Sequence, residues 1–126
     1  MAGFTRDNST QIVTDSKTEL QWQDDSTPAS MLWTPAIDYC EALTLGGYSD
    51  WRLPNIKELI SLVDDSKISL SIDTEVFANT VSDHYWSSTT NAGYVINAWD
   101  VYFDNGFLGN DDKSVYGYVR CVRAGQ

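Results

Sequence analysis

The segment Asp50-Trp51-Arg52-Leu53-Pro54-Asn55-Ile56-Lys57-Glu58-Leu59-Ile60-Ser61-Leu62-Val63 limits the possible folds more than any other, because an irregular aromatic stretch runs directly into a helix that carries its own start signal. Asn55 can cap a helix, and Glu58 stands three residues later, the spacing at which the two side chains satisfy each other's free backbone N–H groups. Ile56, Leu59, Ile60 and Val63 fall at i, i+3, i+4 and i+7, so the segment predicts a helix with one apolar stripe that must be covered. Asp64, Asp65 and Ser66 are expected to end it.

Elements on either side can be placed around this helix. Gln11–Thr14 and Leu20–Gln23, separated by the turn-like Asp15-Ser16-Lys17-Thr18, predict an N-terminal hairpin, and 24–32 predicts a loop. A further helix is expected from a Thr34 cap and Pro35 in the first position, with Ala36, Ile37, Cys40 and Leu43 as its buried stripe and Gly46-Gly47 as its stop. The segment 67–80 reads as loop with a short helical turn, Ile72, Val76 and Phe77 pointing inward. Tyr85–Thr89, 94–104 and 115–123 are β-prone, so the order β, α, α, β predicts an α+β fold with an antiparallel sheet in the second half. Strand alternation puts Trp99, Val101 and Phe103 on the core face and Ala98, Asp100, Tyr102 and Asp104 opposite. The same rule turns Val119 and Cys121 inward and makes Asp100 the expected partner of Arg120.

With 126 residues, 42% of them apolar, the chain has the size and content of one domain, expected over 1–126. Eight basic against eighteen acidic side chains give a net charge of −10, which repels phosphate backbones and anionic lipid, so no nucleic-acid partner is expected. No apolar run reaches the length of a membrane span, so no membrane insertion is expected either. The first residues do not read as a signal peptide, which places any export signal outside this sequence. Cys40 and Cys121 are too far apart for a CxxC pattern, and a structural disulfide is the natural reading, two buried free thiols being the alternative. The disulfide would imply an oxidising, extracellular or cell-surface location.

Chemistry is sparse. His84 is the sole histidine, and no nucleophile–base pair or zinc set is recognisable, so the chain is not expected to be an enzyme. Carboxylates and amides concentrate in 100–112, where Asp100, Asp104, Asn105, Asn110, Asp111 and Asp112 could supply the oxygens a calcium ion requires, with Asp104, Asn110, Asp111 and Asp112 as the candidate set in an acidic loop. The competing reading is that Asp104-Asn105-Gly106 is only a hairpin turn. Two adjacent carboxylates, Asp111 and Asp112, repel unless solvated or bridged by a cation. Sugar sites combine planar polar groups with an aromatic platform, and Asn91, Tyr94, Asp104, Asn105 and Tyr116 form the candidate ligand set, near Tyr102, Phe107 and Asn97. A merely half-buried tyrosine face is the alternative. The five tryptophans are expected in the core, and Arg52 and Arg120 in internal ion pairs.

Trp33, Ala36, Tyr39-Cys40, Leu43, Gly47, Asp50-Trp51-Arg52-Leu53-Pro54, Glu58-Leu59, Tyr85-Trp86-Ser87-Ser88, Ala98-Trp99 and Tyr118-Val119-Arg120-Cys121-Val122-Arg123 together resemble the Lcl C-terminal domain family, found in exported and surface proteins of bacteria. Thr14-Asp15 and Gln21-Trp22-Gln23 are similar to that family's entry segment. The resemblance implies a fold like that of the C-type lectins and formylglycine-generating enzymes, two helices packed on small antiparallel sheets, with one disulfide joining the first helix to the last strand. The member that gives the family its name is an adhesin of host polysaccharides. This chain lacks the Glu-Pro-Asn and Gln-Pro-Asp triplets of true C-type lectins, and its nearest approach to Trp-Asn-Asp is Trp99-Asp100, so their sugar–calcium site does not carry over. It also lacks the second cysteine pair of the enzyme branch. The expectation is an extracellular adhesion module, part of a larger adhesin, that recognises a glycan or other host or cell-surface ligand through loops of its C-terminal half, with calcium as an optional cofactor. Alternatives are a protein- or peptide-binding surface and, less favoured, a degenerate enzyme of the formylglycine-generating type.

Overall fold

A computed structural model describes residues 3–25, 29–63, 72, 77–81 and 83–124. The first sheet contains β1 (Phe4–Asp7), β2 (Ile12–Asp15), β3 (Leu20–Gln23) and β9 (Val122–Ala124), in the order β1-β2-β3-β9, all antiparallel. The β2–β3 hairpin is the one predicted. Its turn is held by Asp15, whose carboxylate accepts from the Lys17 amide at 2.9 Å, and Glu19 takes the left-handed conformation that closes it.

The second sheet contains β4 (Ala29–Met31), β8 (Gly117–Val119), β5 (His84–Thr90), β6 (Asn97–Tyr102) and β7 (Phe107–Asp112), in the order β4-β8-β5-β6-β7. Its pairs are antiparallel except β5 with β8, so this sheet is mixed rather than the purely antiparallel one expected. Two helices, α1 (Trp33–Ala42) and α2 (Ile56–Ile60), complete an α+β fold, as predicted. Among the described residues no helix is long and apolar enough to cross a membrane.

The capping box of α2 forms as the spacing requires. Glu58 N donates to Asn55 Oδ1 at 2.8 Å, and Asn55 N donates to Glu58 Oε1 at 2.9 Å. Arg52 then clamps the same carboxylate with two bonds, at 2.8 and 2.7 Å. The helix is shorter than its apolar pattern suggested. Ser61 folds back, its amide and hydroxyl both donating to Glu58 O, and the turn that follows buries Leu59 and Leu62 while leaving Ile60 exposed. The expected stop at 64–66 and the helical turn and Val76 of 67–80 lie outside the described residues, whereas Ile72 and Phe77 are buried as expected.

Helix α1 begins two residues earlier than predicted, at Trp33, with Leu32 in the cap position and no side-chain cap; Thr34 lies inside the first turn. Ala36 and Cys40 are its fully buried residues, and Cys40 is bonded to Cys121. The predicted last strand is two strands. β8 and β9 belong to different sheets, and Arg120 and Cys121 make the step between them.

That step corrects the expected Arg120–Asp100 pair. Arg120 turns away from β6, and its Nη2 donates to Asp24 Oδ1 at 2.8 Å while its Nε donates to Gln23 O at 2.9 Å. Its guanidinium lies over the rings of Phe77 and Tyr85. Asp24 also accepts from Arg6 Nε at 3.1 Å and from the Asn79 amide at 3.2 Å.

Both faces of β5 and β6 are covered, which revises the picture of a single aromatic core face. Tyr85, Val101 and Phe103 join Val13, Trp22, Leu59 and Val122 in one cluster; Trp86 and Ala98 join Cys40, Trp51, Val119 and Cys121 in the other. Trp22, Trp51 and Trp86 are buried as predicted, whereas Trp33 and Trp99 are half-buried. Asp100, expected on an outer face, is completely buried.

Candidate functional site

One concentration of polar groups is inside the mixed sheet. The register sets His84 opposite Tyr102, Trp86 opposite Asp100, Gly109 opposite Asp100 and Asp111 opposite Ala98. Alternation therefore brings His84, Asp100, Tyr102, Gly109 and Asp111 to one face across three neighbouring strands. Gly109 makes this closeness possible: a Cβ there would stand 2.6 Å from Tyr102 Cε1 and 2.9 Å from Asp100 Oδ1. In the space it leaves, Tyr102 reaches along β7 and donates its hydroxyl to Asp111 Oδ2 at 2.7 Å. The His84 ring sits between Trp86 and Tyr102, with centroids 5.8 and 5.1 Å away, and its Nδ1 is 3.0 Å from Asp83 Oδ1.

Two carboxylates of this cluster are pushed in opposite directions. Asp100 is fully buried, and neither of its oxygens has a hydrogen-bond donor. Burial, the close approach of Asp111 and the charges of Asp111 and Asp83 push Asp100 up to about 9. Asp111 moves the other way: burial opposes the shift, but Asp100, the Tyr102 hydroxyl and the charge of His84 together hold it below the ordinary carboxylate range. Two ionised carboxylates in contact are acceptors facing acceptors, so a proton or a cation belongs between them.

A second concentration lies at the end of the β6–β7 hairpin beside the 91–97 turn. Asn110 Oδ1 accepts from Asn97 Nδ2 at 2.7 Å and from Asn91 Nδ2 at 3.3 Å, joining three amides. Lys113 N donates to Ile96 O at 2.9 Å, which ties the 112–116 turn to this end, and the Lys113 ammonium lies 4.1 Å above the Trp33 ring. Between these turns and the start of α1 is an open cleft of about 500 Å³, walled by Leu32, Pro35, Val95 and Ile96 and edged by Thr34, Asp112, Lys113 and Ser114. Tyr94 and Tyr116 are exposed on these two turns.

The structure divides the predicted site residues among three places. Asn91, Tyr94 and Tyr116 belong to the cleft end, with Asn110. Asp104 and Asn105 are in the β6–β7 turn at the far end of the hairpin, about 17 Å away along a six-residue strand. There Asn105 Oδ1 accepts from the Phe107 amide at 3.0 Å, and Gly106 takes the positive φ the turn needs. The predicted acidic loop is in fact strand β7, so Asp111 and Asp112 point to opposite faces. Asp112 Oδ1 is engaged by the Ser114 amide and hydroxyl at 2.9 and 2.8 Å, while Asp111 enters the buried cluster. The set Asp104, Asn110, Asp111 and Asp112 is therefore not brought together, because a strand alternates where a loop could converge.

His84, Asp100 and Tyr102 were missed as a group. Their signal was the matched alternation of 84 and 86, 98, 100 and 102, and 109 and 111, legible only once β7 was recognised as a strand.

The family model described as the Lcl C-terminal domain matches residues 11–123, almost the whole chain. The chain belongs to the Lcl C-terminal domain family. In this Lcl C-terminal domain the matched span runs from the start of β2 into β9 and so contains both helices, the disulfide and both polar concentrations. No curated protein sequence matches the chain.

Proposed function

We propose that this Lcl C-terminal domain is a single exported ligand-binding module of C-type-lectin-like fold, part of a larger adhesin, that recognises carbohydrate on a host or cell surface at the cleft end of its C-terminal half. It works by binding rather than by turnover. The observation that carries this reading is the cleft between α1 and the 91–97 and 112–116 turns, with apolar walls and a short polar edge. A sugar ring has an apolar C–H face and a rim of hydroxyls, so it needs such a combination of apolar and polar surface. The exposed Tyr94 ring stands on the 91–97 turn beside the cleft and is available for stacking, and the polar edge of Thr34, Asp112, Lys113 and Ser114 offers partners for hydroxyls. The disulfide supports an oxidising location.

A glycan array probed in calcium and again in chelator tests the reading and separates calcium-dependent from calcium-independent recognition. Wild type should give a defined set of glycan hits, and Tyr94→Ala should lose at least tenfold in affinity with an unchanged melting curve. Silence on the array under both conditions, or full binding by Tyr94→Ala, would overturn it. The neighbouring exposed Val95 and Ile96 favour a peptide as the second reading, to be checked by peptide display.

A further inference from the structure

We propose that His84, Asp100 and Asp111 form a binding site for a divalent cation of the zinc or manganese type, distinct from the cleft. One ligand atom from each residue lies within 4.8 Å of the other two. Three adjacent strands supply them, so their spacing is fixed by sheet hydrogen bonds rather than by loop conformation.

Two independent features point to a ligand. Asp100 is wholly buried with both carboxylate oxygens lacking a donor, and His84, more than nine-tenths buried, has no partner for Nε2. Buried polar atoms are almost always satisfied, so three orphans in one cluster call for a partner that side chains do not provide. The outer contacts are also those of metal sites. Donation from Nδ1 to Asp83 Oδ1, 3.0 Å away, would leave a neutral His84 with a lone pair on Nε2, and the Tyr102 hydroxyl fixes Asp111 through Oδ2, leaving Oδ1 free to coordinate. Gly109 keeps the space beside the carboxylate open: a Cβ there would lie 2.9 Å from Asp100 Oδ1.

The donor set decides the class of ion. Calcium takes six to eight oxygens, whereas one imidazole nitrogen with two carboxylates suits zinc or manganese, with a further position for water. Asp111, only half-buried, gives the ion a route from solvent.

The test uses untagged chain, stripped with chelator and titrated calorimetrically with Zn²⁺, Mn²⁺ and Ca²⁺ beside thermal melts, with no glycan present, so its outcome is independent of carbohydrate recognition. Expected are one equivalent of Zn²⁺ or Mn²⁺, a higher melting temperature at saturation and little response to Ca²⁺. Asp111→Asn should lower the affinity at least tenfold, and Tyr102→Phe, which keeps the ring, should lower it by about tenfold. Absence of stoichiometric uptake by wild type would overturn the site and leave a proton shared by Asp100 and Asp111. Unchanged uptake in both variants would overturn it equally, by showing that the ion binds elsewhere.

Discussion

Asp24 and Arg120, 96 residues apart, form a buried ion pair at 2.8 Å that joins the end of β3 to the step between the two sheets. Arg120 also donates to Gln23 O, Asn79 O and Thr80 Oγ1, so it gathers the 23–24 and 79–80 segments onto one guanidinium. Removing it leaves a buried carboxylate partly uncompensated, with Arg6 as its remaining cation. Arg120→Met should cost about 3 kcal/mol in urea unfolding. Combined with Asp24→Leu it should cost less than the sum of the two single variants, as expected for partners in one network. Strict additivity would show that the pair is not energetically coupled.

The Cys40–Cys121 bond has a sequence separation of 81. A crosslink of that span removes denatured-state freedom worth about 4–5 kcal/mol in the chain-entropy model. Guanidinium unfolding with and without reductant should therefore differ by an amount of that order, and intact mass of the unreduced protein should be lower than that of the reduced protein by two hydrogens.

Gly117 faces two rings at close range. A Cβ there would stand 2.7 Å from Trp86 Nε1, which donates to Met31 O, and 3.0 Å from His84 Nε2. Neither ring is free to move, since both are buried. Gly117→Ala should destabilise the fold by about 1–3 kcal/mol, read by chemical denaturation. A variant as stable as wild type would mean that β8 can shift away from β5.

Glu58 supplies the pH-dependent term that is simplest to isolate. Burial works against its carboxylate, but the Arg52 hydrogen bond, the Asn55 amide and the Arg52 charge outweigh burial, so Glu58 titrates below its ordinary value. Its contribution is then fully present above the unfolded-state value of about 4.3 and is lost as pH falls through the lower folded-state value. Glu58→Gln should be less stable than wild type by about 0.5–1 kcal/mol at pH 7, a small figure because Arg52 is partly exposed. The two proteins should converge in strongly acidic solution; a gap that persists there would assign the effect to the cap alone.

What the sequence disclosed was local. The Asn55–Glu58 box, the β2–β3 hairpin and the glycine of the β6–β7 turn each act through neighbours a few residues away, and each was read correctly. Ile60 shows the limit of periodicity: the pattern placed it in the stripe, but Ser61 ends the helix before the stripe can continue. β7 stayed hidden because Gly109-Asn110-Asp111-Asp112 has the composition of a loop and becomes a strand only through six pairings with β6. The candidate site suffered from that omission. Without β7, Asp111 and Asp112 appeared to share a loop, and Asp100 had no reason to be buried. The partner of Arg120 was equally out of reach, since alternation names a face of a strand and Arg120 lies between strands.

Because β8, an interior strand of one sheet, and β9, an edge strand of the other, are consecutive segments of one chain with the disulfide anchored between them, the opening of either sheet pulls on the other. Amide hydrogen exchange should then report a single cooperative unit, in which the slowest protons of β3 and of β5 open with the same free energy and the same denaturant sensitivity.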